Sequence, residues 1–181
     1  MIRGLFTNKT VRNLIGEDIP PGSTIHAGTG EVLSLWEAAK RYKAEGRSTV
    51  IVAGERYGMG SSRDWAAKGV ALLGVRAVLT SSFERIHRWN LIGMGVLPLR
   101  LPTGTMPETL GLSADATIIE ADPSSISPRA AIAIGIRYAD GSLVSLDATA
   151  AIKTHAEVEI LRAGGVLPLI LKRLMKRRLS T

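Results

Sequence analysis

Apolar and polar positions along this chain switch between two periods. In Glu31–Glu45, Leu33, Leu35, Trp36, Ala39 and Tyr42 recur at helical spacing and Gly46 follows, which predicts a first long helix stopped by the glycine. Ser48–Ala53, "STVIVA", is a short apolar run and predicts a strand buried on both faces. Beyond a glycine-rich loop, Arg63–Leu73 predicts a helix closed by Gly74. Arg76–Ser81 predicts a second buried strand, Phe83–Ile92 a further helix and Val96–Leu99 a short strand.

The pattern changes after about Arg100, where Pro, Gly and Ser rise and alternation becomes more regular. Ala116–Glu120 and Ala130–Tyr138 predict strands, and Asp140-Gly141 in "YADGSLVSLDA" predicts a hairpin. A closing strand is expected near Glu157–Leu161, then a loop and a last helix with Pro168 near its start. The order is strand, helix, strand, helix, strand, then a β-rich half. That predicts one α/β domain over residues 1–181, with a three-layer first half that includes some parallel pairing and a second half that adds an antiparallel part.

Composition narrows the function classes. With 45% hydrophobic residues but 4% aromatics, the core must be built from Ile, Leu, Val and Ala. No stretch approaches the roughly 20 apolar residues of a membrane span, and the N-terminus has no secretory apolar segment, so a cytoplasmic protein with no membrane partner is expected. There is no cysteine, and the three histidines (His26, His87, His155) are widely separated, which excludes disulfides and thiolate ligands and leaves no metal-ligand spacing. The net charge of +7 invites nucleic acid as a partner. Much of the excess sits in "LKRLMKRRLST", where Lys172, Arg173, Lys176, Arg177 and Arg178 read first as the solvated end of a helix whose C-terminus favours cations.

The candidate chemistry lies in "GERYGMGSSRDWAAKG", Gly54 to Gly69. A Walker loop needs Lys after its last glycine, and Ser61 stands there. A dinucleotide fingerprint needs a third glycine where Arg63 stands. The nucleophile elbow lacks its second glycine. What remains is a strand, a glycine turn and a helix starting at Ser61 or Ser62. Its free N–H groups and dipole favour an anion, and Arg63 adds a planar, bidentate fork suited to a carboxylate. A plain serine N-cap fits the same residues equally well.

The run "GERYGMGSSRDWAAKGVALLGVRAVLTSSFERIHRWNLIGMGVLPL" closely resembles the C-terminal, swivelling domain of aconitases and iron-regulatory proteins. The resemblance covers the whole chain: "RGLFTN" (Arg3–Asn8) is similar to that family's "RGTFAN", and "HAEVEILRAGGVLPLILKRLM" to its closing segment. It implies a three-layer β/β/α domain with mixed parallel and antiparallel strands. It also implies a hydro-lyase that dehydrates and rehydrates a hydroxy-tricarboxylate, as citrate to isocitrate in the tricarboxylic acid cycle.

By that resemblance Ser61 is the base that, as alkoxide, removes a proton beside a carboxylate, while Ser62 and Arg63 bind substrate. The family also needs a [4Fe–4S] cluster held by cysteines. This chain has none, so the cluster is expected on other domains of a parent protein or on a large partner subunit, and the chain alone is expected to be inactive. Small subunits of isopropylmalate, homoaconitate or methylcitrate dehydratases share the domain, and RNA is a minor alternative partner through the iron-regulatory likeness. His87 is expected to be structural, Trp65 and Trp89 to be packing residues, His26 and His155 to lie at the surface or strand ends, and Arg3 and Lys68 to add positive potential.

Overall fold

The computed structural model describes residues 5–120 and 125–178. Its spine is a six-stranded sheet in the order β3-β4-β5-β8-β7-β6. The parallel half is β3 (Thr49–Ala53), β4 (Val75–Thr80) and β5 (Leu97–Arg100), joined by crossover helices α2 (Arg63–Leu72) and α3 (Arg85–Gly93). The antiparallel half is β6 (Thr117–Glu120), β7 (Ala131–Arg137) and β8 (Leu143–Ala150). Residues of β3 to β7 and a later helix line one hollow of about 600 Å³, so the sheet is curled.

β4 and β5 are buried on both faces, which is why they read as unbroken apolar runs, whereas β3, expected to be buried on both faces, is the edge strand and is only partly covered, with Val50 exposed. Val78 packs with Ala67 and Val70 of α2 and Leu91 of α3. Its neighbours Ala77 and Leu79 join Leu97, Leu99, Ile132, Ile134 and Ala148 on the opposite side. The β7–β8 turn is the expected one: Gly141 has φ 82°, and the Tyr138 N–H donates to the Ser142 carbonyl at 3.0 Å.

Two further expectations are corrected. The first helix, α1, spans Leu35–Ala44 and not Glu31–Glu45. Val32–Ser34 is instead strand β2, paired antiparallel with β1 (Ser23–Ile25). Ser34 starts the helix, its Oγ accepting from the Glu37 N–H at 3.1 Å, so the boundary is set by an N-cap inside the apolar pattern. The expected closing strand near Glu157–Leu161 is helix α4 (His155–Ala163). Val158 and Ile160 alternate with Glu157 and Glu159, which mimics a strand. The caps decide otherwise: Thr154 Oγ1 accepts from the Glu157 N–H at 3.3 Å, and Gly164 closes the helix at φ 90°.

A buried ion pair fastens α3 to α4. Arg88 Nη2 lies 2.9 Å from Glu157 Oε1, and Nη1 donates to the Ala151 carbonyl at 2.8 Å. The last helix, α5 (Val166–Arg178), buries none of its residues. It rests on α4 by its polar side, through Arg173 to Glu159 at 2.8 Å and Lys172 to the Ala163 carbonyl at 3.3 Å. Leu167, Ile170, Leu171, Leu174 and Met175 are exposed. Among the described residues no helix is long and apolar enough to cross a membrane.

Candidate active site

The candidate loop leaves the C-terminal end of β3, beside the loop that leaves β4. In open α/β sheets this end of the parallel strands is where ligands gather. The two loops are laced together. The Tyr57 N–H donates to the Ser82 carbonyl at 2.9 Å, the Glu84 N–H donates to the Tyr57 carbonyl at 2.9 Å, and the Arg56 N–H donates to Ser82 Oγ at 2.8 Å. Thr80 Oγ1 donates to the Gly54 carbonyl. This lacing was not legible as a motif, because its partners lie about 26 residues apart.

Ser61 and Ser62 are both exposed, and Ser62 occupies the N-cap of α2. The expected side-chain cap is absent: Ser62 has φ −88° and ψ 51° and its hydroxyl makes no cap bond. That backbone angle departs from the extended conformation from which an N-cap hydroxyl reaches back. The first helical bond runs from the Ala66 N–H to the Ser62 carbonyl at 3.0 Å, so the N–H groups of Arg63, Asp64 and Trp65 lie outside the helical ladder. The loop therefore presents two uncommitted hydroxyl positions beside an open helix N-terminus.

Arg63 stands at the same corner. Its Nε donates to the Gly60 carbonyl at 3.1 Å and its Nη1 lies 3.2 Å from Glu84 Oε2. Glu84 is the N-cap of α3, with Oε2 also accepting from the N–H groups of Ile86 at 2.9 Å and His87 at 3.1 Å. Burial raises the Glu84 pKa, but the two backbone bonds and the nearby Arg63 and Arg85 charges outweigh it, so the carboxyl is held below its ordinary range. Arg63 is thus a paired guanidinium and not an isolated cation.

His87 is 1% exposed, and its Nδ1 lies 3.1 Å from the Arg63 carbonyl. A carbonyl only accepts, so Nδ1 carries the proton. Burial is the main cause of a lowered pKa, which keeps the ring neutral at pH 7. Gly58, at φ 88°, lies against this ring: a Cβ there would be 2.2 Å from Cγ and Cδ2. His87 is therefore structural, as expected.

Other expected residues fall elsewhere. Lys68 pairs with Asp64 at 2.7 Å and lies 5.1 Å from the Trp65 ring centroid, so its charge is locally matched. Trp65 and Trp89 are not core packing residues; they are 55% and 44% exposed, because Ala67 and Val70 take the inward face of α2 and Arg88 and Leu91 that of α3. His26 is buried, stacked on Tyr42 at 4.6 Å and 3.1 Å from Thr29 Oγ1, while His155 is exposed at the start of α4. Arg3 lies outside the described residues. An iron–sulfur cluster does not fit this chain: the sequence has no cysteine, and among the described residues no group of three His, Asp or Glu converges on one point.

The family model described as the aconitase C-terminal domain matches residues 1–104. The chain is 44% identical to aconitate hydratase A of Thermus thermophilus over 181 residues, covering 100% of this chain and 20% of that protein. It is 43% identical to aconitate hydratase A of Legionella pneumophila, covering 96% of this chain and 20% of that one. It is also 44% identical to phosphinomethylmalate isomerase of Streptomyces viridochromogenes, covering 97% of this chain and 19% of that protein. A solved structure of 3-isopropylmalate dehydratase from Methanocaldococcus jannaschii aligns with TM-score 0.49 and 23% identity, covering 82% of this chain and 84% of that one. The chain spans about a fifth of the length of the curated relatives it matches. With more than half of its residues inside the family match, the chain belongs to the aconitase C-terminal domain family.

Proposed function

We propose that this chain supplies one wall of the active site of an aconitase-like hydro-lyase, with Ser61 as the base and Ser62 and Arg63 as carboxylate binders. The observation that carries this reading is the corner at the start of α2, where two exposed serines, an open helix N-terminus and a fixed Arg63 fork share a few residues. A substrate carboxylate seated on Arg63 and the first-turn N–H groups brings its neighbouring carbon toward the serines. Ser61 Oγ then takes the proton from that carbon. A serine hydroxyl is a weak acid, and the helix dipole with Arg63 favours its anionic form.

Departure of the hydroxyl group in such a reaction needs an acid on the other side of the substrate. The sequence has no cysteine, and among the described residues no three metal-ligating side chains converge, so that half of the chemistry belongs to a cluster-bearing partner, whether the rest of a longer protein or a large subunit. Relatives that are equally similar to this chain carry different names, aconitate hydratase A and phosphinomethylmalate isomerase. The domain accordingly serves the shared proton transfer and carboxylate capture, and a polycarboxylate of the citrate class is the substrate it suits.

The test is turnover in the enzyme reassembled with its cluster-bearing portion. Ser61→Ala is expected to cut kcat by about 10²–10⁴-fold with KM almost unchanged, and Arg63→Lys to raise KM, because a point charge replaces a fork. Full turnover by Ser61→Ala overturns the proposal.

A further inference from the structure

Arg63 is gripped from one direction. The first turn of α3 holds its side chain through Glu84 Oε2 at 3.2 Å and its backbone carbonyl through His87 Nδ1 at 3.1 Å. Glu84 is an unusual choice for the position it fills. It is the N-cap of α3, a place where the short acceptors Ser, Thr, Asp and Asn are preferred. Its longer arm adds a reach that capping does not require, and that reach ends on Arg63 Nη1. The carboxylate is itself fixed, because the same Oε2 also accepts two backbone N–H groups. A fixed acceptor on Nη1 and the Gly60 carbonyl on Nε hold the guanidinium plane at two points.

We infer that Glu84 is a positioning residue: it sets the plane of the Arg63 fork so that a substrate carboxylate meets a preorganised donor pair. The inference rests on the reading of Arg63 as the carboxylate clamp. Such orientation acts on binding, because a free guanidinium must be ordered as the ligand arrives. What Glu84 contributes is an acceptor at the right distance, so an amide oxygen serves in its place, whereas a shorter acid caps the helix and falls short of Arg63.

The experiment uses the reassembled full enzyme with citrate as probe. Glu84→Asp keeps an N-cap acceptor and is expected to raise KM about tenfold, with kcat within about twofold and an unchanged melting temperature. Glu84→Gln is expected to hold KM within about twofold of the parent. Combining Glu84→Asp with Arg63→Lys is expected to be no worse than Arg63→Lys alone, since the pair acts as one unit. A residue that merely caps α3 predicts the reverse, a neutral Glu84→Asp and additive effects, and that result overturns the inference. So does a Glu84→Gln variant as impaired as Glu84→Asp. If Arg63→Lys itself leaves KM unchanged, the clamp reading fails and the role of Glu84 falls with it; if Arg63→Lys weakens binding while Glu84→Asp does not, only the role of Glu84 is lost.

Discussion

His87 Nδ1 and the carbonyl oxygen of Arg63 sit 3.1 Å apart, across a gap of 24 residues in the sequence. This one contact fixes the tautomer of a buried imidazole and the entry of the chain into α2. Burial of that imidazole, which outweighs the opposing pull of the contact on the proton, makes stability depend on pH in a definite direction. The folded-state pKa of His87 lies below its ordinary value of 6.5, mainly through burial, so the unfolded chain binds the proton more readily. The contribution is fully present above 6.5 and is lost as pH falls through the lowered folded value. Urea unfolding at about pH 7.5 and about pH 5 is expected to show a fall in stability that His87→Gln flattens.

Gly58 faces the same ring. Its φ of 88° disfavours any side chain, and a Cβ would come within 2.2 Å of the imidazole. Gly58→Ala is expected to destabilise the fold by about 2–4 kcal/mol. Because the displaced loop carries Ser61, it is also expected to lower turnover in the reassembled enzyme. Thermal melts and steady-state rates read the two effects separately.

The Arg88–Glu157 pair predicts an asymmetry between single and double substitutions. Glu157→Ala strands a buried guanidinium and is expected to cost about 3–5 kcal/mol. Replacing both residues with apolar ones of similar size, Arg88→Met with Glu157→Leu, is expected to recover most of that loss. Denaturant titration of the three proteins checks it.

The apolar stripe of α5 predicts an absence of effect. Leu171 and Leu174 are 60% and 52% exposed, so Leu171→Glu or Leu174→Lys is expected to leave the stability of this domain within about 0.5 kcal/mol. A loss like that of a core leucine would show that the stripe packs within the domain.

Much of this architecture was legible from local pattern alone. The runs of β4 and β5 are apolar because both sheet faces are covered there, while the equally apolar β3 lies at the edge and is only partly covered, and Asp140-Gly141 marked its hairpin through backbone chemistry two residues long. The misreadings share one cause. At Val32–Ser34 and at His155–Ala163 the apolar period pointed one way and a capping hydroxyl, Ser34 or Thr154, decided the other. In the candidate site, Ser61, Ser62 and Arg63 stand out in the sequence because they are contiguous. Glu84 does not, since its tie to Arg63 crosses between two loops.

Ser61 lies open to water at the mouth of its loop. A hydroxyl bathed in solvent keeps its proton at neutral pH, and solvent weakens the pull of Arg63 and the helix dipole on its anionic form. The loop gives the serine a rigid seat but no shelter. On the proposed reading, the shelter a reactive serine requires would come from whatever surface closes over that seat.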